Sequence, residues 1–436
     1  MFDTKKLAAA AERERENCAR FLRDICRIPA TSNQEGPVVE RVKQEMKKVG
    51  FDEIRIDGYG NILGRIGNGK RVIAFDSHLD TVGVGDRAEW KHDPHVGKRV
   101  TMDMSKYSDA LPADATSKGP RDVIWARGAS DQRGGIAAMV YAGKLIKQLG
   151  LAADCTIWMV GSICEEDSDG IAWLYILKKK VINPEVVVVS EPTNLNIYRG
   201  HRGRMEIKAK ITGVSCHASA PERGVNPVYR AVPFIKEIEK LHTQLKGDKF
   251  LGKGTIAVTK IQEETPSQCA VPASVELHLD RRLEVTASKE SAVAEVKAAM
   301  KRAGIKDGKV WVPVYKVPSW KGTVFPMENY YPGWCLEPDH SLVKISEETH
   351  KAAFNNKKGK VSRWVFSTNA TTITGICGVP AIGFGPGAED NAHMAIEHMA
   401  VDHLIAAMKF YAAFPTKYSE AGGLKPADRK YKPKRK

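Results

Sequence analysis

Acids and histidines recur in this chain at one kind of place, directly after short runs rich in β-branched residues. The run Arg71-Val72-Ile73-Ala74-Phe75 is followed at once by Asp76-Ser77-His78-Leu79-Asp80-Thr81. Residues 156–163 lead into Cys164-Glu165-Glu166-Asp167, and residues 185–190 into Glu191-Pro192-Thr193. The loop before a glycine-opened segment holds Gly128-Ala129-Ser130-Asp131, and Gly383-Phe384-Gly385-Pro386-Gly387 precedes Asp390 and His393.

Two imidazoles and several carboxylates, with no thiolate among them, form a ligand set for zinc or a similar divalent ion such as manganese or cobalt. Two ions about 3.5–4 Å apart, joined by a bridging carboxylate, can share activation of a water and polarisation of a carbonyl. Such a site also needs a base that is not a ligand. The neighbours Glu165 and Glu166 can divide that work, one facing an ion and the other taking the water's proton. Taken singly, a His-x-Asp after a strand is more often a structural hydrogen bond, and a Glu-Glu pair a solvated turn. Their joint occurrence, in order, with Asp131, Glu191 and His393 is what argues for one hydrolytic metal site.

In an open α/β sheet, active sites lie outside the carboxyl ends of the strands. The runs at 71–75, 156–163 and 185–190 read as buried strands. Residues 134–150 read as a helix opened by glycines and closed by Gly150. Amphipathic helices are also expected over 4–27 and from about 38 to 49. After Gly200 the pattern changes. Residues 205–213 and 274–283 alternate apolar and polar positions, as half-buried antiparallel strands do, and helical stretches at 227–245 and 288–303 accompany them. Beyond a Pro/Trp/Tyr-rich connection (313–338), strand and helix signals resume at 379–385 and 403–414. The expectation is a discontinuous catalytic domain over 1–200 and 317–424, interrupted by a smaller α+β domain over 201–316.

The composition excludes several other classes. The chain has 436 residues, 67 Lys+Arg against 52 Asp+Glu, and 42% hydrophobic residues, which is neither disordered nor membranous. No apolar run approaches the ~20 residues of a membrane span, and charges occupy the N-terminal stretch where a secretory signal would be apolar. The eight cysteines are scattered without a CxxC pair, so neither a zinc ribbon nor a disulfide framework is expected. The reading is a reduced, cytoplasmic protein. Residues 425–436 hold seven basic residues and one acid. They read as a solvated, disordered tail, so neither a nucleic-acid nor a membrane partner is expected.

The segments His78-Leu79-Asp80-Thr81-Val82, Gly128-Ala129-Ser130-Asp131 with Gly134-Gly135, Glu165-Glu166 and Ser190-Glu191-Pro192 resemble those of the dinuclear zinc peptidase/aminoacylase family. That family includes acetylornithine deacetylase, succinyl-diaminopimelate desuccinylase, carboxypeptidase G and aminoacylase. The run from Glu191 to Asn194, the run from Tyr198 to Ile207, Gly213-Val214-Ser215-Cys216-His217 and Phe366-Ser367-Thr368-Asn369 look like its selenium-metabolism-linked hydrolase subgroup. The resemblance covers nearly the whole chain except the tail.

It implies a zinc-peptidase-like α/β catalytic domain, with a mixed sheet and helices on both faces, and an inserted α+β lid that pairs two copies into a homodimer. It further implies two divalent ions per chain, zinc first, with manganese or cobalt as alternatives. His78 and Glu191 would hold one ion, Glu166 and His393 the other, with Asp131 bridging. Glu165 would be the general base, and Asp80 would orient His78. In the lid, His217 would donate to the oxyanion, often across the dimer, with Asn226 nearby. Arg282 would grip a substrate carboxylate, and Ser367, Thr368 and Asn369 would line that pocket. The implied substrate is a small amino-acid derivative whose peptide, N-acyl or carbamoyl C–N bond is hydrolysed. Between His393 and Glu397 the chain reads Met394-Ala395-Ile396, where relatives tend to have a small residue, Pro and Asn before the Glu.

Two other classes compete. A catalytically inactive binding protein on the same scaffold would be expected to have lost the base or a ligand, and all six positions are present here. A dinucleotide enzyme is suggested by Gly383-x-Gly385-x-x-Ala388, but Pro386 interrupts the match and no phosphate-cradling helix start follows.

Overall fold

A computed structural model describes residues 3–103 and 120–433. Its central sheet has eight strands in the order Glu53–Ile56, Ile62–Ile66, Cys155–Ser162, Arg71–His78, Val186–Val189, Ala381–Gly383, Ile197–Tyr198 and Val361–Ser362. The pairs among Cys155–Ser162, Arg71–His78, Val186–Val189 and Ala381–Gly383 are parallel, whereas Ile62–Ile66 joins antiparallel. The four parallel strands are buried almost throughout, and Val186–Val189 is an unbroken β-branched run, as suits strands covered on both faces. Because they are parallel, their carboxyl ends point the same way.

Helices pack on this sheet. Gly134–Leu149 is buried along most of its length and lies against Val401–Glu420. Gly150 ends the first of these at φ 67°, the left-handed cap that glycine adopts without strain. Gly135 is needed for proximity, since a Cβ there would sit 2.1 Å from Ser190 Oγ. The helix can therefore start close beneath the strand ends. The helix expected over 4–27 is two helices, Thr4–Arg13 and Arg15–Cys26. Glu14 leaves the helical region between them, and its carboxylate accepts from Lys144 Nζ at 2.6 Å.

A second sheet lies in the order Thr255–Glu264, Ser274–Leu283, Gly203–Thr212 and Lys309–Trp311, with Tyr330–Tyr331 also pairing with Gly203–Thr212. One face is apolar and packs on the helices Pro227–Gln244 and Lys289–Arg302, forming a core of its own. The other face is polar, which is the alternation of a one-sided antiparallel sheet. A third, three-stranded sheet of Lys98–Asp103, Pro120–Trp125 and His398–Ala400 stands beside the central one.

The tail differs from its expectation. Up to Tyr431 it is laid against the body rather than free. Asp428 Oδ2 accepts from the backbone N–H of Ser341, at the start of the helix Ser341–Ala353. Tyr431 donates its backbone N–H to Gly378 O, and its hydroxyl accepts from Cys335 N. Basic composition suggested solvation, but the Asp and Tyr among those lysines supply a cap and a docking ring. Residues 434–436 lie outside the described residues.

Candidate metal centre

His78 is the last residue of Arg71–His78, Glu165 and Glu166 follow Cys155–Ser162, and Glu191 follows Val186–Val189. Asp131 arrives by another route. It lies beyond Pro120–Trp125, a strand of the small side sheet, on a turn opened by Gly128 at φ 80°. His393 follows the short turn Glu389–Asn391 and itself adopts φ 64°.

These side chains meet around Asp131. Its Oδ1 lies 3.0 Å from His78 Nε2 and its Oδ2 lies 3.1 Å from His393 Nε2. His393 Nε2 is also 3.1 Å from Glu166 Oε2, while His78 Nε2 is 3.6 Å from Glu191 Oε1 and 3.9 Å from Glu165 Oε2. One carboxylate thus spans two imidazoles, and each imidazole faces further glutamates.

The surrounding groups fix this arrangement. His78 Nδ1 sits 2.9 Å from the Asp80 carbonyl and 3.5 Å from Asp80 Oδ1. The buried Asp80 carboxylate also accepts from Ser32 Oγ and from the backbone N–H groups of Glu165 and Glu166. A single carboxylate therefore sets both the His78 ring and the Glu165–Glu166 turn. Glu397, fully buried, does the same for Asp131. Its Oε1 accepts from the N–H groups of Ser130 and Asp131, and its Oε2 is held by Arg127 Nη1 at 2.6 Å.

Charge is unbalanced in this cluster. Burial raises Glu165 and Glu191 well above the usual carboxylate range, and neighbouring carboxylates add to the shift. Glu166 is raised by burial and by Asp131. Burial acts the same way on Asp131, but hydrogen bonds with His393 and His78 override it and hold its carboxyl low. Burial opposes a charged His78, yet Glu191, Asp131 and Asp80 lift its pKa well above normal. His393 is lifted to about 10 by Asp131 and Glu166. Buried carboxylates that repel one another while drawing protons onto both imidazoles are a site that a divalent cation would neutralise.

The donor set fits such ions: imidazole and carboxylate, no thiolate, with atoms that converge. Two overlapping groups, His78 with Glu165 and Glu191, and His78 with Asp131 and Glu166, each bring their ligand atoms within 4.8 Å of one another. Proximity alone does not separate Glu165 from the ligands.

A cleft of about 270 Å³ runs from these residues to Arg204, Arg282, Phe366 and Ser367. Arg282 and Ser367 both line this cleft, and Ser367 Oγ donates to Asp169. Arg281 is fully buried in the lid core and Arg282 faces the cleft, as strand alternation from Leu277 and Leu279 requires.

Thr368 and Asn369 do not line the cleft. Thr368 N donates to His201 Nε2 at 3.3 Å, and Asn369 Nδ2 donates to Asp76 Oδ2 and Ser162 Oγ, tying two strand ends together. Both are fully buried, whereas Ser367 reaches the cleft wall. His217 is exposed on the lid, its Nδ1 accepting from Ser219, and Asn226 caps Pro227–Gln244 by accepting from Val228 N. Neither lines this chain's own cleft. The sequence reading missed Arg204, Asp169, Phe366 and Glu389, all cleft-lining. Arg204 and Phe366 fall within runs quoted for the resemblance, but neither was given a role there.

An α/β body with an acid–imidazole cleft at its strand ends, carrying a separate α+β unit, defines a metal-dependent hydrolase. Residues 199–308 match the profile of the M20 peptidase dimerisation domain. Escherichia coli K12 YgeY, an uncharacterised protein, is 43% identical over 413 residues, spanning 94% of this chain and 96% of that one. A Cereibacter sphaeroides succinyl-diaminopimelate desuccinylase is 27% identical over 261 residues, 57% of this chain and 63% of that one. The structure of Bacillus subtilis YxeP, described as a dinuclear metal-binding peptidase from the M20 family, superposes with TM-score 0.63 at 13% identity, covering 94% and 99% of the two chains. The chain belongs to the M20 metallopeptidase family and is a hydrolase of amide bonds.

Proposed function

We propose that the chain binds two divalent ions and hydrolyses a C–N amide bond, peptide, N-acyl or carbamoyl, in a small amino-acid-derived substrate. The observation that carries this reading is Asp131, whose two oxygens lie 3.0 and 3.1 Å from two different imidazoles. That is the disposition a bridging carboxylate needs. Zinc suits the donors best, with manganese or cobalt as alternatives. His78 and Glu191 would hold one ion, and Glu166 and His393 the other. When bound, the ions would polarise the scissile carbonyl and make water more acidic.

Glu165 acts as general base. Among the described residues its carboxylate makes no hydrogen bond, whereas Glu166 is engaged by His393 and by Val82 N. A buried carboxyl with a raised pKa is suited to accept the proton of the attacking water and pass it to the leaving nitrogen. Asp80 keeps the His78 ring and the Glu165 backbone in register during that transfer.

The lid is proposed to pair two copies. Val225, Val228, Tyr229 and Val232 stand exposed where Pro227–Gln244 begins, an apolar patch suited to burial against a second copy. In that dimer His217 would reach the partner's cleft. The test of the reaction is a hydrolysis screen of zinc- and manganese-loaded protein against dipeptides, N-acetyl and N-succinyl amino acids and ureido acids. Turnover of none of them would remove the proposal.

A further inference from the structure

We infer that Glu35 is a positioning residue for the hydrolysis, its buried carboxylate holding the backbone turn that aims Glu165 at the metal centre. The inference rests on the hydrolytic reading above, with Glu165 as base, and adds the group that fixes that base in space.

The turn begins where Cys155–Ser162 ends. Four successive backbone N–H groups there each donate to a side-chain oxygen. Ile163 donates to Asn61 Oδ1 at 3.1 Å, Cys164 to Glu35 Oε1 at 2.9 Å, Glu165 to Asp80 Oδ1 at 3.2 Å and Glu166 to Asp80 Oδ2 at 3.0 Å. Cys164 lies at φ 59°, in the left-handed region that a residue with a Cβ keeps only where its surroundings hold it. Glu165 comes next, and its own carboxylate makes no hydrogen bond among the described residues. Its aim, with Oε2 3.9 Å from His78 Nε2, is therefore set by the backbone beneath it.

Glu35 serves this turn and not its own helix. It stands directly before Gly36–Val49, where a Ser, Thr, Asp or Asn would cap, and its side chain caps none of that helix's amides. Instead Oε1 reaches Cys164, 129 residues away in the chain, and also accepts from Asn33 N at 2.9 Å. The side chain is fully buried, and Oε2 makes no hydrogen bond among the described residues. A buried acceptor without a donor is destabilising, and an apolar side chain of that size would spare the fold this penalty. Such exceptions collect where function demands a fixed geometry.

The rest of the loop supports the same turn. Asn33 Oδ1 accepts from Cys164 Sγ at 3.1 Å, and Ser32 Oγ donates to Asp80 Oδ2 at 2.7 Å. One short loop thus backs both carboxylates that hold the base, and a misplacement of about 1 Å can cost 10²-fold in rate.

The experiment uses the metal-loaded full chain and the best substrate of the hydrolysis screen. Glu35→Gln keeps the Oε1 acceptor, whereas Glu35→Met keeps the volume and removes it; each is made alone and with Glu165→Gln. The expected result is that Glu35→Met lowers kcat roughly 10–10²-fold, with KM and metal content close to wild type, and that Glu35→Gln recovers most of the rate. In the Glu165→Gln background the Met substitution should cost less than about threefold, because the base it positions is already gone. Equal losses in both backgrounds, loss of metal from Glu35→Met, or a Glu35→Gln as slow as Glu35→Met would each overturn the inference. Hydrogen exchange reads the turn without turnover. Peptides containing Cys164 and Glu165 should exchange about tenfold faster in Glu35→Met than in wild type or Glu35→Gln, with Val186–Val189 unchanged. If no compound is turned over by any form, the hydrolytic reading fails separately, and exchange still decides whether Glu35 holds the turn. Rates indifferent to Glu35→Met overturn it. Should Glu35→Met not fold, Glu35→Asp, which withdraws the acceptor by one methylene, takes its place with the same expected results.

Discussion

Replacing Glu165 by Gln separates chemistry from binding at this site. The side chain is buried, 9% exposed, and its carboxylate makes no hydrogen bond among the described residues, so the amide fits without breaking a contact. It also removes one negative charge from a group crowded by Glu191, Asp169 and Glu166, so the fold should not lose stability. What the amide cannot do is accept a proton. A positioned general base contributes about 10²–10⁴-fold, so kcat should fall by that factor, equivalent to about 2.7–5.4 kcal/mol of barrier. Metal content by elemental analysis and KM should stay close to wild type. Glu166→Gln is the contrast, because its carboxylate faces His393 at 3.1 Å, and it should lose one ion together with activity. If Glu165→Gln empties a metal site while Glu166→Gln does not, the two roles are reversed. If neither slows hydrolysis of any accepted substrate, the mechanism is wrong.

Asp131→Ala should leave at most one tightly held ion per chain after dialysis, since both imidazoles lose the carboxylate between them; unchanged stoichiometry would sink its bridging role. Tyr229→Asp, at a ring 76% exposed on the lid helix, should shift light scattering from a dimer toward a monomer, and a wild type already monomeric at micromolar concentration refutes the pairing. A pH effect follows from His201, fully buried, whose pKa is lowered to about 4 by burial first and Arg282 among the minor causes. Between that value and the unfolded value near 6.5, only the unfolded chain takes up the proton. Stability is therefore complete above pH ~6.5 and lost as pH falls toward 4. Urea unfolding should show a loss of about 2 kcal/mol between pH 8 and 5 from this group, and His201→Gln should remove that increment; identical pH slopes would refute it.

The strands and their polar followers were legible because a buried parallel strand is a near-continuous apolar run, and what comes next is free to be polar. Residues 71–75 and 185–190 therefore announced both an element and a site. Asp131 was legible as chemistry but not as topology: nothing in Gly128–Asp131 says that the preceding strand belongs to a separate small sheet. Thr368 and Asn369 were harder still. Their place in the pocket came from the resemblance alone, and only packing reveals that Asn369 braces Asp76 and Ser162. Arg204 was overlooked because its place in the cleft depends on register. That it stands opposite Arg282 is a pairing fact, and strand alternation alone specifies only the face.

The grip of Glu397 on the amides of Ser130 and Asp131 has a consequence in time. The residue that spans both imidazoles is oriented by a carboxylate made more than 260 residues later in synthesis, and His393 arrives equally late. A growing chain can present His78, Glu165, Glu166 and Glu191 long before it owns either of these. Until then it lacks one of the five proposed ligands, His393, and the brace for Asp131. Under the proposed function the complete ligand set would therefore exist only in a body that has already closed. Loading would then follow folding, and the ion-free chain would have to be stable by itself.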